Sequence, residues 1–135
     1  MKAALTSTFG LTHIAVLVKD IEKTLRFYRS VFDMQVMYHE RGMLQLTTPG
    51  CHDILVFQQG LNELTGKTGG IIHFGFRLRD PKDISSLKEK IIKAGGIIRE
   101  AGEFVPGSPY VFFNDPDGYE VEVWYEIPLT KSDKV

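Results

Sequence analysis

Three side chains in this 135-residue chain combine residue type and spacing in a way that could hold a metal ion: His13, His73 and Glu122. His13 opens the segment His13-Ile14-Ala15-Val16-Leu17-Val18-Lys19-Asp20. His73 opens His73-Phe74-Gly75-Phe76-Arg77-Leu78-Arg79-Asp80. The two histidines and the two aspartates share an offset of 60 residues (73 − 13 and 80 − 20). The same offset places Phe27 over Leu87, Val31 over Ile91 and Phe32 over Ile92. Each copy therefore reads as a His-led strand, an Asp and an amphipathic helix. Pseudo-symmetry brings the equivalent positions of two such copies face to face. Glu122 lies in Tyr119–Glu126, where Val121 and Val123 alternate with Glu120, Glu122, Trp124 and Glu126. If the valines pack on the helices, Glu122 points to the opposite, concave side of the sheet. A mid-strand carboxylate there is costly unless it meets a cation or a donor. Two neutral imidazoles and one carboxylate make a divalent transition-metal site with open positions. The plainer reading is that the three are polar groups of a core.

Holding these groups requires a sheet in each copy. Residues 11–19 read as a strand, Asp20 as a helix N-cap, and Ile21, Leu25, Tyr28 and Phe32 as the apolar stripe of the helix that follows. Further strands are expected at 34–39, 43–48 and 53–58, with turns at Arg41-Gly42 and Pro49-Gly50. Gly-rich residues 60–70 read as a linker. In the second copy a strand over 71–79 leads to Asp80-Pro81 and a helix with Ile84, Leu87 and Ile91 on one face. Gly95-Gly96 ends that helix. Strands then follow near 97–100, 109–113 and 119–126, with a tight turn at Asp115-Pro116-Asp117-Gly118. The expectation is a single α+β domain over 1–135, made of two βαβββ modules (about 10–60 and 70–127). Their curved sheets form a cleft, with the helices outside. At about 60 residues neither module is stable alone, so they must share a core.

Composition narrows the function. Sixteen basic residues against seventeen acidic ones leave a net charge of −1, which speaks against a nucleic-acid partner. No apolar run is long enough to span a bilayer and the first ten residues lack an apolar signal core, so neither a membrane nor a secretory route is expected. The single cysteine, Cys51, cannot form an internal disulfide, which fits the cytoplasm. His39, His52 and Cys51 read as ordinary loop and turn residues.

Three motifs carry a family resemblance. THIAVLVKDIEKTLRFYRSVF, IIHFGFRLRD and NDPDGYEVEVW resemble the opening, the second-module start and the closing motif of the vicinal oxygen chelate superfamily. This is the superfamily of glyoxalases, bleomycin-resistance proteins and extradiol dioxygenases, and the resemblance covers residues ~10–127. It implies that His13, His73 and Glu122 bind one divalent metal ion (Zn, Ni, Mn or Fe(II)). It implies a small substrate that chelates the metal through adjacent oxygens, and a homodimer, with Phe74, Phe76 and Phe113 on a sheet rim that pairing covers. Glyoxalase I-like members carry a fourth ligand in the last strand of module one, where this chain is expected to present Leu55, which cannot ligate. Losing that carboxylate removes a base that a lyase or isomerase uses, so Glu120 would have to be recruited; Glu126, roughly 13 Å away along the strand, is out of reach. Extradiol dioxygenases use two His and one Glu, and Tyr110 is placed as their active-site Tyr. Phe57, Phe112 and Trp124 are expected to line the substrate pocket with Tyr110. The segment 101–108 lacks the basic residues of the fosfomycin-modifying members. The readings are a glyoxalase-like metalloenzyme, an extradiol-type dioxygenase and a metal-free bleomycin-resistance-like binding protein.

Overall fold

The computed structural model describes residues 6–128. Its strands are β1 (His13–Val18), β2 (Gln35–Glu40), β3 (Met43–Thr47), β4 (Ile54–Gln59), β5 (Phe74–Arg77), β6 (Ile97–Glu103), β7 (Pro109–Asn114) and β8 (Glu120–Trp124). The helices are α1 (Ile21–Phe32) and α2 (Ile84–Lys93), the latter preceded by a short 3-10 turn at Pro81–Asp83. The order is βαβββ twice. Each module makes a four-stranded sheet of the same order, β1-β4-β3-β2 and β5-β8-β7-β6. In each, the first strand is an edge strand and pairs in parallel with the last strand of its module.

Local chemistry accounts for the helix starts. The Asp20 carboxylate accepts from the backbone N–H of Glu22 and Lys23, and Asp80 accepts from Lys82 N–H. These bonds satisfy donors that a helix start leaves open. After α2, Gly95 takes a left-handed φ of +100°, a conformation that costs glycine little. Among the described residues no helix is long and apolar enough to cross a membrane.

The two modules join back to back. One continuous core takes Val18, Leu44, Leu46, Leu55 and Phe57 from the first sheet, Val111, Phe113, Val121 and Val123 from the second, and the buried faces of both helices. Phe32 of α1 stacks on Phe76 of β5 at 3.9 Å between ring centroids, and Phe27 packs 6.0 Å from Phe113. The helices thus lie away from the open sheet faces, as expected, and form the join between the modules. This corrects the expected rim: Phe113 is fully buried, and Phe74 and Phe76 pack against the core.

Polar ties reinforce the join at the Asp115-Pro116-Asp117-Gly118 turn. The Asp115 carboxylate accepts from Asp117, Gly118 and Tyr119 N–H through Oδ1, and from the Tyr28 hydroxyl of α1 through Oδ2 at 2.9 Å. Lys19 N–H donates to Asp117 Oδ1, and the Tyr119 hydroxyl donates to Leu17 C=O at 2.6 Å. Residues of the linker also seat here. A Cβ added to Gly66, whose φ is +80°, would lie 2.0 Å from Asp117 O. Asp115 is only 4% exposed, and desolvation pushes its carboxyl up to about 6 despite the hydrogen bond from Tyr28.

Candidate metal centre

Alternation in β8 sends Val121 and Val123 into the core and Glu120, Glu122 and Trp124 to the open face. The register continues that face across the sheet. Gly75 stands beside Glu122 on one side and Phe112 on the other, while Arg77, Trp124, Tyr110 and Gly102 form the next row. His73 lies one residue before β5 and therefore falls beside Glu120. Its Nε2 is 3.0 Å from Glu122 Oε2, and its Nδ1 is 3.4 Å from Glu120 Oε2. The Glu122 side chain is 15% exposed and the other two are about one-third exposed. Gly75, with no side chain, leaves the floor beside Glu122 clear.

An aromatic wall borders this pair. Phe112 meets the His73 ring edge-on at 5.3 Å, and Tyr110 meets Phe112 at 5.6 Å. Phe104 stacks on Tyr110 at 4.1 Å and stands edge-on to Trp124. Tyr110 also donates its hydroxyl to Glu100 Oε1 at 3.0 Å, and that bond holds its proton above the ordinary tyrosine range. Arg77 is bonded to Glu126 at 2.7 Å.

His13 occupies the open face of the other sheet, with Ala15, Ile54 and Val56 around it by register. It is exposed, and its Nδ1 lies 2.9 Å from Thr12 Oγ1. His13 and His73 both line one open cleft of about 2080 Å³, which Glu122 and the aromatic wall do not line. Two of the three expected donors are thus brought together and the third is not. Among the described residues no group of three or more His, Cys, Asp or Glu side chains is close enough to hold one ion. The donor chemistry of His73 and Glu122 fits a divalent cation, and among the described residues no third donor joins them.

The sequence pattern of the Glyoxalase/Bleomycin resistance protein/Dioxygenase superfamily matches residues 10–123. The chain belongs to this superfamily. It is 25% identical to the catechol-2,3-dioxygenase of Bacillus subtilis, over 92% of this chain and 45% of that protein. It therefore spans less than half the length of this relative. It is 29% identical to a probable lactoylglutathione lyase of Synechocystis, covering 84% of this chain and 92% of that one. Its fold matches a variant of the fosfomycin resistance protein FosX of Listeria monocytogenes, complexed with Mn(II) and a dihydroxypropylphosphonic acid. The TM-score is 0.70 at 23% identity, over 87% of this chain and 90% of that one. That structure holds a divalent metal with a small organic molecule, and another relative, from Geobacillus, is named a manganese-dependent 2,3-dihydroxybiphenyl 1,2-dioxygenase.

Two expected positions change. Phe57 is not a pocket residue: it is fully buried and packs on Tyr28 at 5.1 Å. Leu55 shares its face and is the equivalent of Val121, since β1 sets Ile14 against Leu55 as β5 sets Phe74 against Val121. The first-module equivalent of Glu122 is Val56, which has no ligating atom either. Phe104 and Glu100 were not anticipated. The register of β6 puts Glu100 and Gly102 on the face of Tyr110, but the bulge between Ile98 and Glu100 hides this from alternation counted along β6 alone.

Proposed function

We propose that this protein is a metal-dependent enzyme of the superfamily, acting on a small planar substrate through two adjacent oxygens. The observation that carries the reading is the convergence of His73 Nε2 and Glu122 Oε2, 3.0 Å apart, on an open face beside an aromatic wall. The third donor in this reading is His13 of a second copy. The open faces of one chain cannot swing together, because the Phe32–Phe76 and Phe27–Phe113 contacts lock the modules by their backs. A twofold pair satisfies both copies at once, each giving His13 to the other and taking it in return.

When bound, a divalent ion polarises the adjacent oxygens of a substrate and favours the charge that develops on them. The chain does the rest. Glu122 and His73 fix the ion's place, Phe112 and Trp124 hold a planar ring, and Tyr110, its hydroxyl bonded to Glu100, completes the wall. Val56 offers no base where glyoxalase I-like members carry a carboxylate, so ring opening of a catechol-type substrate is the second reading this position favours over isomerisation. A phosphonate is disfavoured: the face carries Glu100, Glu120 and Glu122, and its Arg77 is already paired. The test is twofold. Metal content should fall sharply in His13→Ala and Glu122→Ala relative to wild type. Oxygen uptake with catechols is then compared with loss of the methylglyoxal–thiol hemithioacetal, on Fe(II)-, Mn(II)- and Ni(II)-loaded protein. Unchanged metal content in both variants defeats the metal reading; turnover of neither substrate class under any metal points to a ligand-binding protein.

A further inference from the structure

His73 is engaged at both ring nitrogens. Nε2 faces Glu122 at 3.0 Å and Nδ1 faces Glu120 at 3.4 Å. An ionised carboxylate can only accept, so the ring atom that faces Glu120 carries its proton there when Nε2 holds a metal ion. His13 divides its ring in the same way, with Nδ1 against the Thr12 hydroxyl at 2.9 Å. The contact with Glu120 follows from the backbone register. Phe74 is set against Val121 and Gly75 against Glu122, so the residue before β5 meets the first residue of β8. His73 is the partner of Glu120 among the described ion pairs and side-chain hydrogen bonds. Both side chains are about one-third exposed, and an exposed pair of this kind adds little to folding stability.

We infer that Glu120 is the positioning residue of His73. It accepts Nδ1–H, fixes the ring's tautomer and orientation, and makes Nε2 a better donor to the ion. The inference rests on the metal reading above. It also takes Glu120 out of the set of free bases beside the ion. Outer partners of metal-bound histidines alter metal affinity by about 10–100-fold.

The test is competition for Zn(II) against a chromophoric chelator, with wild type, Glu120→Ala, Glu120→Gln and Glu122→Gln. Glu120→Ala should weaken affinity about 10–100-fold. Glu120→Gln keeps an acceptor oxygen and should lose several-fold less. In the ring 15N–1H spectrum of the zinc-loaded protein, the His73 Nδ1 proton should be visible in wild type and exchange faster in Glu120→Ala. Glu120→Gln supplies the comparison if the alanine variant folds poorly. Affinities of both Glu120 variants equal to wild type, while Glu122→Gln fails to bind, overturn the inference and leave the metal site standing. A wild type that binds no ion, or a Glu122→Gln that binds as wild type does, overturns the metal reading and this inference together.

Discussion

Two broken variants should repair each other. His13→Ala removes the imidazole that one chain lends and leaves its own His73 and Glu122 in place. Glu122→Ala keeps His13 and destroys the other half of the site. Each variant alone builds pairs with no complete donor set, so bound metal per chain should fall close to zero. Mixed in equal amounts, unfolded and refolded together, the chains pair at random and half the pairs are mixed. A mixed pair carries one intact site and one that lacks two donors. Metal per chain should therefore recover to about a quarter of the wild-type value, the limit set by twofold exchange of one donor. The assay is metal content per chain by atomic absorption, after gel filtration of the refolded mixture. His73→Ala mixed with Glu122→Ala gives the internal control. Both losses fall on the same open face, so no pairing restores a site. A His13→Ala and Glu122→Ala mixture that binds no more than the average of its parents would refute the shared site. It would mean that all three donors come from one chain, or that they do not act together.

Phe57→Ala should cost about 3–5 kcal/mol, because it empties a fully buried ring site; urea unfolding measures this. Trp124→Ala should leave the urea midpoint near wild type and weaken binding of a planar ligand, read by isothermal titration. Gly66→Ala forces a side chain into a left-handed φ and against Asp117 O, so its melting temperature should fall, by the equivalent of about 1–3 kcal/mol. The carboxyl of Asp115, pushed up to about 6, holds its proton more tightly folded than unfolded. Its contribution is thus fully present below about pH 4 and is lost as pH rises to about 6, a fall of order 3 kcal/mol. Asp115→Asn should flatten that part of a stability–pH profile measured by urea unfolding.

Much of the architecture can be read from residue order because its signals are local. Asp20 precedes an apolar stripe and caps α1 as expected, and the Val121–Val123 alternation fixes which way Glu122 points. β4 shows where local reading fails. Leu55, Val56 and Phe57 are all buried, so the run has no alternation from which to take a phase. Pairing with β1 supplies it, and the one-residue slip moved both the supposed fourth ligand and a supposed pocket aromatic to the wrong face. Phe113 and Phe76 failed differently. Each looks like an open apolar position until α1 of the other module is laid across it, a contact 44 or more residues distant in sequence. His13 combines both cases: its strand and its face are local facts, while its distance from Glu122 is set by how the two modules join.

The back-to-back join has a consequence for assembly. The two open faces of a chain are unlike: one carries His13 beside Ala15, Ile54 and Val56, the other carries His73 with two carboxylates and an aromatic wall. An interface between unlike faces has a head and a tail. If the rotation relating two copies is a half-turn, the second contact closes the ring and the assembly stops at two. If the rotation differs, a head and a tail remain free and the same contact adds a third copy, then a fourth, as a filament. What separates these outcomes is the angle between the sheets, held by the aromatic contacts of α1 and by the Asp115 turn on which Gly66 seats. Changes that loosen that angle should therefore show themselves as growth in particle size before any loss of secondary structure.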